Sequence, residues 1–535
     1  MAGFNLKTFT KFNILFCLCL VLYFILSIYL LKYYQYDPIS RDLISIMSIA
    51  KIYAAGDLGN AVNGYWGPMF SWLLVPIIYF NPTPQFTLFT TKILAIMVGF
   101  FTILGIGLLS RRFKLSTSIR IGILFASVFI VLFYVFGLNP VDLLLACFLI
   151  YYLYIIYSSN YPLTWYNGML CGILGGLAFL TKSFALPFFL ITFILFNLLH
   201  YFKDAELRKG TFKNLFLGLA VFFIISGLWG GVISEKYGYL TLGTSGEYNF
   251  KEIGPIQKDM GSPIWHGFIK PSNKEATSAW EDPTYLKLSS WSPLQSQNSF
   301  KHEINVISGN IIKTLTFLNE FSYFSLLIIL FSLLFIIWQL KNHSVLKHHQ
   351  IFFAFLTITM FIGLYVLIFV EFRYFYLVYF LITLMAGYFL QLLFKKPYCT
   401  REIKSILLVV FVASLMVMPL TGLLENKDGG ENIYDLASTI NDEYYIQGNI
   451  ASNDGYMASL YMAYLWNSHY YGTSLRNWNN ISDSELEKDL QDYNIDYYLY
   501  WGDSNYNSEV LVKYKEITQG KIEDLKIYSI KEKIQ

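Results

Sequence analysis

Residues 36–72 read YDPISRDLISIMSIAKIYAAGDLGNAVNGYWGPMFSW, and the reading of this stretch decides the fold. It follows a long apolar run, 13–32, and is the only part of the N-terminal half that mixes acids, turn residues and aromatics. Ser40 can cap a helix whose first turn holds Asp42, and Gly56 can end it. Leu43, Ile46, Met47, Ile49 and Ala50 recur at roughly helical spacing. That pattern predicts an amphipathic helix lying along a membrane surface, with Asp42 at the water–lipid boundary. An Asp in a first turn also complements the helix dipole, so position alone leaves a cap and a functional carboxylate both open.

Outward from this stretch the chain is dominated by apolar runs. Of 535 residues, 55% are hydrophobic and only 14% charged, which excludes an ordinary soluble protein. Eleven runs approach or reach the ~20 residues that cross a bilayer as helix: 13–32, 87–110, 118–136, 141–158, 167–181, 184–200, 214–233, 320–340, 350–370, 374–394 and 404–424. The expected fold is an α-helical polytopic membrane protein with about eleven spans. Residues 69–80 are too short to cross and contain Pro76, so they read as interfacial or re-entrant. Lys7 and Lys11 precede the first span, and Arg111, Arg112, Lys114, Lys203, Arg208, Lys209 and Lys213 fall on the same side by alternation. The short turns on the other side carry only Arg41, Lys51, Lys182 and Arg373. The basic side is expected to be cytoplasmic, placing the N-terminus inside and the C-terminus outside. Gly168, Gly172 and Gly176, four residues apart, predict close helix packing.

Two polar segments interrupt this pattern, 234–318 and 425–535. The expected division is a membrane domain, 1–424, with outer loops 33–86 and 234–318, followed by a small extracytoplasmic α/β domain, 425–535. In the latter, 449–452, 496–500 and 525–529 read as strands, and 456–466 and 482–492 as helices. It has no glycine-rich phosphate loop, which argues against nucleotide binding. The five cysteines (17, 19, 147, 171 and 399) avoid both polar segments, so neither a disulfide framework nor a CxxC metal site is expected.

Asp42, Asp142, Lys182, Glu371 and Arg373 are far apart in sequence, yet the topology puts all five on the outer face. Charges at a membrane edge are costly and tend to mark a substrate path. Each also has a plain structural role open to it: Asp142 beside the Asn139-Pro140 cap, Lys182 snorkelling, Glu371 and Arg373 as a helix-end pair.

The loop carrying Asp42, with Ala50, Gly56-Asp57 and the run Trp66-Gly-Pro-Met-Phe-Ser-Trp72, resembles the first extracytoplasmic loop of the GT-C glycosyltransferases. Within them it is most similar to the glycosyltransferase family 39-like branch of protein O-mannosyltransferases and the lipid A aminoarabinose transferase. GLAFLTKSFALP (176–187), EFRYFYLVYF (371–380) and NPVDLLL (139–145) resemble further segments of that superfamily. The resemblance implies a plasma-membrane enzyme that takes a sugar from a polyprenyl-phosphate carrier to a lipid, glycan or protein acceptor, and no nucleic-acid partner. It makes Asp42 the catalytic base. Lys182 and Arg373 become contacts for the donor phosphate, with Asp142, Glu371 and Tyr374 in support. Attack in line with one base would invert the anomeric centre.

The sequence also departs from this pattern. Where the aminoarabinose transferase carries a Glu-Lys pair before the Pro, this chain has Tyr65 and Trp66, and the Arg three residues after the loop acid is Ser45. That argues against aminoarabinose as the donor and leaves a second acid to be found. The 234–318 segment offers candidates for acceptor or sugar contacts in His266, Glu281 and Asp282, alongside Trp66. No resident cofactor is implied, and a divalent metal stays open although no His/acid cluster has ligand spacing. The alternatives are a lipid or sugar transporter or flippase, which usually shows paired repeats that are not seen here, and a non-catalytic membrane scaffold.

Overall fold

The computed structural model describes residues 11–260, 264, 267–342, 349–475, 481–502 and 508–533. In chain order the helices are α1 Lys11–Tyr34, α2 Arg41–Ala54, α3 Leu58–Ala61, α4 Met69–Ile78, α5 Pro84–Leu109, α6 Thr117–Phe136 and α7 Pro140–Ile156. There follow α8 Tyr166–Thr181, α9 Ala185–Lys203, α10 Arg208–Tyr237, α11 Ser245–Glu252, α12 Pro255–Met260 and α13 Gln297–Phe321. The remainder are α14 Ser325–Lys341, α15 His349–Val366, α16 Tyr376–Phe394, α17 Arg401–Glu425, α18 Glu431–Tyr444, α19 Tyr456–Leu465 and α20 Asp483–Asp492. This is a multi-pass membrane protein. Among the described residues eight helices are long and apolar enough to cross a membrane, or nine if α13 and α14, bent by 108°, form one broken span. The expected fourth and fifth spans, α7 and α8, are helices of only 17 and 16 residues.

The chain divides into two compact units, each assembled from three separated segments. One comprises residues 1–32, 93–231 and 303–427, and is built almost wholly of apolar helices. A close helix contact lies at the predicted glycines. A Cβ on Gly168 would lie 2.1 Å from the Asn214 carbonyl oxygen, and one on Gly172 2.3 Å from that of Gly218. Helices α8 and α10 therefore meet backbone to backbone, which only a residue without a side chain permits.

The other unit comprises residues 33–92, 232–302 and 428–535. Its sheet has the order β2-β1-β3-β5-β4, with β1 Asn449–Ser452, β2 His469–Thr473, β3 Tyr497–Trp501, β4 Tyr514–Glu516 and β5 Leu525–Lys533. The first three strands are parallel, linked through α19 and α20, and β5 runs antiparallel to β3 and β4. The predicted strands correspond to β1, β3 and the first part of β5, and β2 and β4 are additional.

Helix α2 departs from its predicted setting. Ten of its 14 residues are buried, so it is an internal helix and not one with an open lipid-facing side. Ile44 and Met47 pack with Leu460, Tyr461 and Tyr464 of α19 in the core beneath the sheet. Burial of each such aliphatic side chain is worth roughly 1.5–3 kcal/mol, and this partner element is what the local pattern cannot reveal. The cap and stop are as predicted. Ser40 accepts a hydrogen bond from the Leu43 amide at 3.3 Å, and Gly56 takes φ +79° just past the helix end. The 234–318 segment also departs from a plain loop, because its last quarter belongs to α13.

Candidate active site

Asp42 sits in the first turn of α2 and is 6% exposed. Its Oδ1 accepts a hydrogen bond at 2.8 Å from the indole Nε1 of Trp280, and the Arg41 guanidinium lies 4.2 Å over that indole. Trp280 is held in an aromatic cluster with Tyr65, Trp66 and Tyr248, their ring centroids 5.6, 6.1 and 6.2 Å away. Trp66 Nε1 donates to the Trp280 carbonyl at 3.0 Å, so the predicted aromatic braces the backbone of the residue that holds Asp42. Asn63 organises the same turn, accepting from the amides of Tyr65 and Trp66 at 2.9 and 2.8 Å.

Glu281 and Asp282 are not open to a sugar, contrary to the expectation, because both are internal braces. Glu281 is 1% exposed. It closes a capping box, accepting from the Thr277 and Ser278 amides at 2.7 and 3.1 Å and from the Ser48 hydroxyl of α2 at 3.0 Å. Burial pushes its carboxyl up to about 8, against the hydrogen bonds from Ser48, Ser278 and Thr277 and the charge of Lys51. Asp282 accepts from the Tyr237 hydroxyl at 2.6 Å and the Thr284 amide at 3.3 Å, and burial raises its carboxyl too. His266 lies outside the described residues. Sequence reasoning missed that the Trp280 indole faces Asp42, 238 positions away, and that Tyr456 of α19 belongs to the same cluster. Burial, with Asp42 and Glu281 nearby, pushes the Tyr456 phenol up to about 12.

In the apolar unit, the other predicted residues come together in one constellation. Asn139 caps α7, accepting from the Val141 amide at 3.0 Å, and Pro140 opens the helix, which sets Asp142 in its first turn. Lys182 follows α8 in an extended conformation and donates to Asp142 Oδ1 at 2.7 Å. Its Nζ also lies 3.6 Å over the ring of Tyr374. Arg373 Nε is 3.7 Å from Asp142 Oδ2 and pairs closely with Glu371. Two cations and two carboxylates thus offset each other. Asp142 is nearly closed off, whereas the side chains of Lys182 and Arg373 keep 27% and 17% of their exposure.

Among the described residues no three His, Cys, Asp or Glu side chains gather as metal ligands. The Asp42 setting, with an indole donor and aromatic rings, does not match a divalent-metal donor set.

This fold is shared with solved structures at low sequence identity. The chain is similar to ArnT from Cupriavidus metallidurans, solved bound to undecaprenyl phosphate, at 12% identity and a TM-score of 0.58 over 98% of each chain. It is also similar to the Archaeoglobus fulgidus oligosaccharyltransferase, at 12% identity and a TM-score of 0.51, covering 92% of this chain and 70% of that one. The archaeal enzyme tethered to an acceptor peptide with an NVT sequon matches equally well. No protein-family model and no curated protein matches the sequence.

Proposed function

We propose that this protein is a membrane glycosyltransferase that moves a sugar from a polyprenyl-phosphate carrier to an acceptor hydroxyl on the outer face of the plasma membrane. The observation that carries the reading is Asp42, a buried carboxylate held by the Trp280 indole among aromatic rings. A fixed carboxylate is suited to general-base work, and aromatic faces are suited to sugars. The carrier class is taken over from ArnT, whose structure contains undecaprenyl phosphate.

In this reading the Asp42 carboxylate takes the proton of the acceptor hydroxyl as its oxygen attacks the anomeric carbon. The bond from that carbon to the phosphate oxygen breaks, and the electron pair leaves with the lipid phosphate. Lys182 and Arg373 are assigned to the negative charge that this releases, their cationic groups fixed by Asp142 and Glu371. A single displacement inverts the anomeric centre. The basic turns supply the orientation, with N-terminus inside and C-terminus outside.

The test is transfer by the purified protein from a radiolabelled polyprenyl-phosphate sugar. Asp42→Asn keeps size and capping ability, so melting should barely move while transfer falls by ~10²–10⁴-fold. Full transfer by the Asn variant would overturn the assignment.

A further inference from the structure

The apolar unit has a second charged feature, at the far end of α6 from Asp142. The helix has 20 residues, about 30 Å at 1.5 Å per residue, and Asp142 lies just past its C-terminal end. At its N-terminal end is a cavity of about 790 Å³, lined among others by Lys11, Asn13, Arg111, Thr117, Ser118 and Arg120. Among the described residues the lining holds three cations and no carboxylate.

Arg120 is built into the wall. Its Nε donates to Ser110 Oγ at 3.0 Å and its Nη2 to the Gly107 carbonyl at 3.3 Å, and its guanidinium lies 3.7 Å over the ring of Phe12. Lys11 and Arg111 are exposed, and Thr117 and Ser118, in the first turn of α6, add hydroxyls to the lining. Directly below Lys11, α1 carries a stripe of exposed apolar residues, Ile14, Leu18, Val21, Ile25 and Ile28, at alternating steps of four and three. Positive charge and hydroxyls therefore stand at the head of an apolar ridge that runs along a membrane helix.

We infer that this cavity binds the phosphodiester headgroup of an anionic glycerophospholipid, whose acyl chains lie along the α1 ridge. A general excess of cations on one membrane face explains the presence of Lys and Arg there. It does not explain a cavity whose wall fixes one guanidinium by two hydrogen bonds and a ring. Basic pockets between membrane helices are suited to anionic headgroups, and the ridge favours a two-chain lipid over free phosphate. Because the site is a helix length from Lys182 and Arg373, it is separate from the phosphate contacts assigned above and does not depend on the proposed reaction.

The experiment uses the full chain in neutral detergent, with an equimolar mixture of phosphatidylglycerol and phosphatidylcholine read by native mass spectrometry, and melting curves alongside. The wild type should retain one phosphatidylglycerol in preference by about tenfold or more, and melt higher with it than with phosphatidylcholine. Lys11→Gln/Arg111→Gln, at two exposed positions, should melt normally without lipid and lose that preference. Lys395→Gln/Lys396→Gln, also exposed and in the same unit, should keep it. Equal preference in the first variant, or equal loss in both, would overturn the site. Displacement of the lipid by millimolar inorganic phosphate, with the same melting shift, would also overturn the lipid assignment and leave a free-phosphate site.

Discussion

The two regions that hold the predicted functional residues solve the problem of a buried carboxylate in different ways. Asp142 is met by ions: Lys182 at 2.7 Å and Arg373 at 3.7 Å, with Glu371 balancing the second cation. Asp42 is met by an indole N–H at 2.8 Å within a cluster of rings, with Arg41 Nε at 3.8 Å and its guanidinium stacked over the same indole. A carboxylate shared by two cations serves mainly to fix them. At Asp42 the shortest contact is a neutral donor that orients the carboxylate, with the Arg41 cation farther off. The proposal gives Asp142 the positioning of cations and Asp42 the chemistry, and each part of it can be broken.

After Asp42→Asn, the largest effect is expected where the cations are removed. Lys182→Met or Arg373→Met should lower turnover by ~10²–10³-fold if either meets the departing phosphate, because one such contact is worth ~2.7–4 kcal/mol of barrier. Normal turnover in both variants would reduce them to helix-end charges. Asp142→Asn should act on the fold as well, because Lys182 and Arg373 lose the carboxylate that both face. A destabilisation of roughly 3 kcal/mol is expected, at the low end for a broken buried pair because both cations are partly exposed. A chemical-denaturation midpoint unchanged by this substitution would show that the pairing contributes nothing.

A smaller effect tests the other side of the comparison. Trp280→Phe keeps a ring beneath Arg41 and beside Tyr65 and Trp66 but removes the N–H that holds Asp42. Loss of one hydrogen bond to a charged group is worth about 1.5–3 kcal/mol, so kcat should fall about tenfold or more. KM should hold if Trp280 only orients the base. A rise in KM with kcat preserved would make Trp280 a binding residue instead.

What was legible beforehand follows the same divide. Asp142, Lys182, Glu371, Arg373 and Tyr374 lie at the ends of apolar runs, where alternation of spans fixes the face on which each emerges. Their gathering was therefore readable from the sequence, and the structure brings them together. The Asp42 setting was readable only on its own helix, where Ser40 and Gly56 mark both ends. Its partner Trp280 comes from a polar segment 238 positions away, and no periodicity reports a contact of that range. Strand β2, HYYGT at 469–473, was missed because it is too short and too tyrosine-rich to show alternation, and its place follows from pairing with β1. Helix α13 was read as loop because its polar residues outweigh an apolar stripe at Phe300, Ile304, Ile307 and Ile311 that has helical spacing.

The smallest expected effect concerns Glu281, which joins α2 to the turn that carries Trp280 through the hydrogen bond from Ser48. Its carboxyl, ordinarily near 4.5, is pushed up to about 8 by burial. Between those values the folded chain keeps a proton there that the unfolded chain has released, so this group's contribution is fully present below about 4.5. It is lost progressively as pH rises toward about 8 and levels off above that. The proton has a place in the structure. On Oε2 it can be donated to the Ser48 hydroxyl, which in turn lies 3.1 Å from Thr277 Oγ1. Glu281→Gln presents a neutral donor and acceptor of the same size at every pH and removes this dependence. Lys51 does not confuse the reading. Burial lowers its ammonium to about 8, so it strengthens the fold with rising pH only above that value. Melting curves from pH 5 to 8 should therefore show the wild type falling relative to Glu281→Gln, by about 2 °C or more across the range. Parallel curves would mean that Glu281 is ionised throughout and paired with Lys51, and the brace beneath Trp280 would then be an ion pair like that at Asp142.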